Sequence, residues 1–286
     1  MMIKPGLPGF YVTMGSRRLD EMIKHDTFRR HMNMRDLGGY PAKDGRRIRK
    51  GLFYRSVTPA LMNDEELEAL GALDLSTVID LRSDEETQSL PDPDIPGAVY
   101  KHYNGMKQLD TDEDVDYSNA GIAKMQEAER EKFLDAVWDV YMDMIRGNRA
   151  FQYILDNYDK GGLPVLFHCF TGKDRTGAVS FLIMAALGCD KDTILSDYLY
   201  SNKSFREERE KARAEKEEAK GAALDDAEEI AILFRYGVAD VLGEGMYDDM
   251  MKDGSAEAFM KNEYGLDEDK LKAFRDYCLE EGGQAS

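Results

Sequence analysis

The chain has 286 residues, 42% of them hydrophobic and 10% aromatic, with 56 acidic against 38 basic side chains and a formal net charge of -18. That length and apolar content can bury a substantial core, so a globular protein is expected rather than a disordered one. The charge opposes broad attachment to nucleic acid or an anionic lipid surface, and any phosphate-bearing substrate must be drawn in by a local positive pocket.

From the N-terminus, "MMIKPGLPGFYVTMGSRR" lacks the apolar stretch of a secretion signal. No later run approaches the roughly 18 to 20 apolar residues of a membrane span, so a cytoplasmic protein with no integral membrane association is expected. "GLFYRS" (51–56), "LSTVIDL" (75–81), "GAVYKHY" (97–103) and "LPVLFHC" (163–169) have the length and composition of strands. Between the first two, Asn63 can cap a helix with Glu66 as its capping-box partner. Residues 126–147 space Phe133, Val137, Val140, Tyr141 and Met144 as a core-facing helical stripe, and "RAFQYILDNY" predicts another helix. "SFREEREKARAEKEEAK" (204–220) interleaves cations with acids and reads as a solvated helix or a flexible arm. From Leu224 to Leu279 a helical pattern resumes, punctuated at "GEG", "KDGS" and "EYG". No repeat of fixed period and no proline-rich linker divides the chain. The expectation is one α/β domain over residues 1–286, a central sheet flanked by helices, with a helical insertion or lid over about 204–265.

The chemistry concentrates in "LPVLFHCFTGKDRTGAVSFLIMAALG" (163–188). The apolar strand delivers Cys169 to its C-terminal end, where open α/β sheets usually bind ligands. A helix predicted to start near Thr176 or Gly177 leaves Phe170, Thr171, Gly172, Lys173, Asp174 and Arg175 as a tight loop at its N-terminus. Backbone N–H groups and the helix dipole there form an anion site, with Gly172 supplying the freedom to curl. The same field favours the thiolate of Cys169. Arg175 returns a planar guanidinium able to grip two phosphoryl oxygens at once. Cys189 and Cys278 have no such setting and read as inert thiols. Three widely spaced cysteines with only four histidines suit neither a disulfide framework nor a zinc site.

The string "HCFTGKDRTG" resembles the phosphate-binding loop of the cysteine-dependent protein tyrosine phosphatases. It is most similar to that of atypical bacterial members with Lys-Asp-Arg inside the signature, which act on phosphotyrosine, phosphoserine or phosphothreonine, and phosphoinositides. "NMRDLGGY" (33–40), "GLFYRS", "VIDLRSDEE" (78–86), "DYLYSN" (197–202) and "EYGLDEDKLKAFR" extend the resemblance over most of the chain. It implies a two-step mechanism through a cysteinyl phosphate, needing no metal and no cofactor, on a phosphorylated protein or phosphoinositide substrate. By the same resemblance, Phe170 to Arg175 bind the substrate and Cys169 is the nucleophile. Lys173 has two readings, a contact to a second phosphate of an inositol ring or a pairing with a neighbouring carboxylate. Asp174 either shapes the loop or handles protons. The aspartate usual after the strand "GAVYKHY" is missing at Asn104 and Gly105, and the next, Asp110, stands in an acidic tract with Asp112, Asp114 and Asp116. Asp174 is therefore the first choice for proton transfer and Asp110 the second. Asp80 with Arg82, and Arg35 with Asp36, orient the loop or bridge segments. His168 is expected to bond backbone behind the loop, and Thr176 to donate to Cys169 or assist its departure.

Two further classes fit part of the pattern. A rhodanese-like sulfurtransferase also cradles a strand-end cysteine in amides, and a non-catalytic phosphate-binding module would share the loop but has no need of Cys169.

Overall fold

The branched and aromatic runs form a sheet whose three central strands are buried on both faces. The structure, a computed structural model, describes residues 27–105 and 127–282, and only the backbone of 127–134. The strands are β1 (Arg35–Asp36), β2 (Arg47–Ile48), β3 (Phe53–Ser56), β4 (Thr77–Asp80), β5 (Val99–His102), β6 (Val165–His168) and β7 (Leu279–Glu280). Five of them make a sheet of order β1-β3-β6-β4-β5, and β2 pairs with β7. Strands β3, β6, β4 and β5 are parallel, while β1 joins β3 antiparallel. The register aligns Ser56 with His168, His168 with Asp80, and Asp80 with His102, so four C-terminal strand ends open on one edge.

Side chains alternate across that sheet, as period-two geometry demands. Phe53, Ile79, Val165 and Phe167 enter the larger apolar cluster; Tyr54, Val78 and Leu166 enter a second one with Met32, Leu70 and Leu75. Near-continuous apolar runs are what a parallel sheet covered on both sides requires.

Eleven α-helices lie among the described residues: α1 (Asp64–Gly71), α2 (Asp84–Ser89), α3 (Glu127–Met144), α4 (Arg149–Asn157), α5 (Asp174–Ala186), α6 (Lys191–Ser204), α7 (Arg206–Lys220), α8 (Asp226–Tyr236), α9 (Asp240–Met251), α10 (Ala256–Tyr264) and α11 (Glu268–Cys278). Helix α1 starts at the expected capping box, with Asn63 and Glu66 bonded reciprocally. Helix α5 is buried from Thr176 to Ala186, which explains its apolar residues on every side. The expected stripe on α3 is present at Val137, Tyr141 and Met144, all buried, with Val140 half-buried; the Phe133 side chain lies outside the described residues. Helix α7 buries no residue and carries i,i+4 pairs from Arg206, Lys211 and Arg213 to Glu210, Glu215 and Glu217. The solvated helix is thus the form the charged segment takes. Ala231, Met246, Phe259 and Phe274 from the C-terminal helices join the same core as the sheet. No helix among the described residues is long and apolar enough to cross a membrane.

Two expectations need correction. The helix after Cys169 begins at Asp174, two residues before Thr176, so Asp174 and Arg175 belong to its first turn. "GEG" is no break: Gly243 and Gly245 lie inside α9. A Cβ at Gly243 would stand 2.7 Å from the Tyr198 ring, and one at Gly245 2.4 Å from the Trp138 indole. These glycines admit two aromatic rings against the helix, a reason that outweighs their modest helix propensity.

Candidate active site

Strand β6 brings Cys169 to the open edge of the sheet, where the residue is 1% exposed. The chain then curls through Phe170, which is exposed, and reverses at Gly172 with φ +65°. A Cβ at Gly172 would lie 2.2 Å from the Ser56 carbonyl oxygen, so the loop is pressed against the end of β3. The Phe170 carbonyl is held from behind by the Thr58 N–H at 3.3 Å. The first turn of α5 follows directly, and its unpaired N–H groups and dipole face the loop.

Arg175 returns from that turn and its Nη1–Nη2 edge is taken by Glu86, at 2.5 and 3.0 Å. Burial works to lower the guanidinium pKa, but the charges of Cys169, Glu86 and Asp174 prevail, holding Arg175 cationic above its usual range. Of its five donors, the Nε–H and one Nη2–H have no partner among the described residues and lie on a single edge, a side-on fork for two anionic oxygens. Gly105 packs on the Arg175 stem, where an added Cβ would lie 3.3 Å from its Cβ and Cγ. Glu86 also accepts from the Ser83 N–H, completing a capping box at the start of α2. The string Ser-Asp-Glu-Glu signals that box, though not its tie to Arg175.

Lys173 is buried, only 4% exposed. Its ammonium donates to the carbonyls of Phe234 and Gly237, the latter at 2.8 Å, and stands 3.3 Å from Asp174. The carboxylate pairing is therefore the arrangement found, with one carbonyl from the last turn of α8 and one from the α8–α9 connection added. Asp174 accepts from the Tyr141 hydroxyl on its other oxygen. Burial, then the charge of Asp174, pushes that phenol well above its ordinary pKa. The Thr176 hydroxyl is buried and has no hydrogen-bond partner among the described residues.

Behind the loop, Asn33, Arg35, Arg55 and Asp197 meet from three segments. Asn33 Nδ2 and Arg55 Nη2 each donate to the Gly172 carbonyl at 2.8 Å. Asp197 accepts from Arg35 Nε at 2.6 Å and from Arg55 Nη1 at 2.5 Å. Burial opposes the ionised form of Asp197, yet the two guanidiniums hold its pKa below the usual carboxylate value. Burial and the charge of Arg35 lower Arg55 to about 10, which leaves it cationic at neutral pH. Asp36, by contrast, turns outward to the N–H groups of Gly38 and Gly51 and shapes a turn, not the loop.

On the opposite flank, His168 Nδ1 lies 3.3 Å from its own Cys169 carbonyl and Nε2 lies 3.1 Å from Asp92. Arg82 donates to Asp80 at 2.7 Å and to Asp92 at 2.8 Å. Asp80, Asp92 and His168 bring possible metal-ligand atoms within 4.8 Å of one another, but the Arg82 guanidinium already supplies a cation to both carboxylates. Asp92 was not among the expected site residues; it sits in the proline-bounded stretch "PDPD", which reads as loop.

Cys189 and Cys278 are buried, and burial pushes both thiols up, Cys189 to about 12. Asp110, Asp112, Asp114 and Asp116 lie outside the described residues.

A family model described as the tyrosine phosphatase family matches residues 27–280, nearly the whole chain.

The chain belongs to the tyrosine phosphatase family.

Its relatives in that family include a Cupriavidus necator protein provisionally named a tyrosine-protein phosphatase, 37% identical over 63% of this chain and 64% of that one. The triple specificity protein phosphatase PtpB of Mycobacterium tuberculosis is 31% identical over 55% of this chain and 63% of its own length. The chain thus spans just under two thirds of the length of these curated relatives. A crystal structure of TpbA from P. aeruginosa aligns with 71% of this chain and 91% of that one at 16% identity, with a TM-score of 0.29, too low to argue from. The loop and its flanking arginines all fall inside the matched residues.

Proposed function

We propose that this protein is a phosphotyrosine phosphatase that works through a cysteinyl-phosphate intermediate on Cys169. One observation carries the reading: Cys169 stands at the head of a curled loop while Arg175, six residues on, presents an Nε–Nη2 edge that is unpaired among the described residues, with its other edge locked by Glu86. Membership of the tyrosine phosphatase family supports it.

In this reading the Cys169 thiolate attacks phosphorus as the ester P–O bond breaks, and its electron pair leaves on the phenol oxygen, which takes up a proton. Water then attacks phosphorus, the S–P bond breaks, and inorganic phosphate leaves with the thiolate restored. The Arg175 fork and the loop N–H groups carry the charge on the transferred group without calling on a metal. Asp174, oriented by Tyr141 and Lys173, is the described carboxylate proposed for proton transfer. The Thr176 hydroxyl, which bonds neither Cys169 nor any other described residue here, is proposed to turn to the thiolate as it leaves phosphorus.

The placement of Lys173 favours phosphotyrosine over phosphoinositide, since an ammonium held by two carbonyls and Asp174 is not presented to a second phosphate. Phe170, exposed on the loop, offers a face for a phenyl ring.

The test is an assay of phosphotyrosine peptide, phosphoserine peptide and soluble phosphoinositides beside Cys169→Ser. Phosphotyrosine should be the best substrate, and Cys169→Ser should lose about 1,000-fold or more in turnover while still binding vanadate, serine being a far weaker nucleophile at neutral pH. Retention of activity within about tenfold of the parent would end the cysteine mechanism. Thiosulfate:cyanide sulfur transfer in place of phosphate release would favour the sulfurtransferase class.

A further inference from the structure

Three sequence motifs outside the Cys169 loop, "NMRD", "FYRS" and "DYLYSN", converge behind Gly172: the first two donate to its carbonyl oxygen through Asn33 and Arg55, and the third holds those donors through Ser201 and Asp197. We infer that Arg55 is a positioning residue of the active site, which fixes the loop's curvature through Gly172 and places an uncompensated buried charge behind Cys169, with Asn33 and Asp197 orienting the assembly. The inference rests on the reading of Cys169 as nucleophile.

The geometric part follows from hydrogen bonding. Both lone pairs of the Gly172 carbonyl are used, one by Asn33 Nδ2 and one by Arg55 Nη2, each at 2.8 Å. A peptide unit is planar and trans, so drawing that carbonyl into the interior turns the Lys173 N–H the opposite way, toward the concave side of the loop. The Thr58 N–H does the same for the Phe170 carbonyl and hence for the Thr171 N–H. Asn33 cannot flip its amide without losing a partner, because Oδ1 accepts from Arg35 Nη1 at 2.7 Å while Nδ2 serves Gly172 and the Ser201 hydroxyl. Asp197 ties the remaining ends, taking Arg35 on one oxygen and Arg55 on the other.

The electrostatic part follows from the charge count. Arg35 and Arg55 contribute two positive charges and Asp197 one negative, and all three side chains are buried, Arg55 completely. Arg55 Nε has no hydrogen-bond partner among the described residues. The Arg55 guanidinium grips the Gly172 carbonyl at 2.8 Å, which puts its charge directly behind the loop that Cys169 heads, and the two groups attract. An anion in the loop, whether thiolate or phosphate, is the partner this cluster lacks, and buried charges are screened far less than surface ones.

The experiment compares Arg55→Met, Arg55→Lys and Asn33→Ala with the parent full-length protein. It measures kcat and KM on p-nitrophenyl phosphate, vanadate affinity, thermal unfolding, and the rate at which iodoacetamide alkylates Cys169 at neutral pH. In Arg55→Met alkylation should slow about tenfold and vanadate binding should weaken by about as much, since a thiolate reacts and a thiol does not. Arg55→Lys, which keeps the charge and loses the fork, should alkylate within about threefold of the parent yet lose about tenfold or more in kcat with KM little changed. Asn33→Ala should resemble Arg55→Lys. A purely structural role predicts the reverse sign, because loosening a loop around a cysteine only 1% exposed speeds alkylation. Faster or unchanged alkylation in Arg55→Met, or in Arg55→Lys with normal kcat should Met fail to fold, overturns the inference. Cys169→Ser reports separately on the nucleophile, so failure of the parent reading is recognised by its retained turnover.

Discussion

Two buried ionic clusters flank the loop, and they are mirror images in charge. Behind Gly172, two arginines share one carboxylate, Asp197; beneath His168, two carboxylates, Asp80 and Asp92, share one arginine, Arg82. The negative excess is dispersed over neutral donors, since Tyr100 donates to Asp80 and Thr58 to Asp92 at 2.5 Å each. The positive excess is also spread over neutral acceptors, Asn33 and the carbonyls of Asp197 and Gly172, but the Arg55 Nε is left unpaired among the described residues. The comparison teaches that a net charge in the interior can serve two ends. One cluster braces the strand ends, and the other holds the Gly172 carbonyl at the back of the loop where an anion is proposed to bind.

The largest effect on stability should come from removing the shared cation of the cluster that braces the strand ends. Arg82→Met strands two carboxylates in the interior and should cost about 3 to 5 kcal/mol by urea unfolding, as broken buried pairs do. A loss below about 1 kcal/mol would show that Asp80 and Asp92 escape by protonation or hydration, and the mirror-image description would fail.

Next comes the response to acid. Burial raises the pKa values of Asp80 and Asp92, but Arg82, His168 and their other donors overturn it, and both carboxyls end below the ordinary range. A depressed folded pKa means that the folded protein binds fewer protons than the unfolded chain just below the unfolded value of about 3.9, so this stabilisation is complete above it and lost as pH falls. Melting temperature should stay flat with respect to these groups from about pH 5 to 8 and drop below about pH 4. Asp92→Asn should make that acid limb shallower by about 1 to 2 kcal/mol; an unchanged limb would assign acid sensitivity to other groups.

The smallest effect belongs to the exposed pairs of α7, which serve as the contrast to both clusters. Arg213 lies 3.4 Å from Glu217 and 2.7 Å from Glu229 and is half in solvent. Arg213→Ala should change stability by no more than about 0.5 kcal/mol, and the difference should fade in high salt. An effect as large as that of Arg82→Met would mean that α7 is held by more than its charges.

Much of the site could be read from short-range pattern. The four parallel strands, the capping box at Asn63 and Glu66, and the loop from Cys169 to Arg175 depend on residues within a few positions of one another, and periodicity and capping chemistry act over that range. The start of α5 was misplaced because Asp174 and Arg175 look like loop chemistry, whereas helix geometry admits an acidic residue in its first turn. "GEG" reads as a break for a similar reason, since local propensity takes no account of the Trp138 and Tyr198 rings that need the space.

The sequence by itself determined which groups could do chemistry here: a cysteine before a curled loop, an arginine at its end, and arginines and aspartates scattered through recurring motifs. Tertiary structure alone decided their pairing. That Glu86 would lock one edge of Arg175, that Lys173 would turn to Phe234 and Gly237 rather than outward, and that Asn33, Arg55 and Asp197 would meet at Gly172 all depend on contacts between segments as many as 168 residues apart. A charged side chain carries no label for its partner. In the interior the pairing is settled by which neighbours the folded sheet brings within about 3 Å and by the cost of leaving any charge there unpaired.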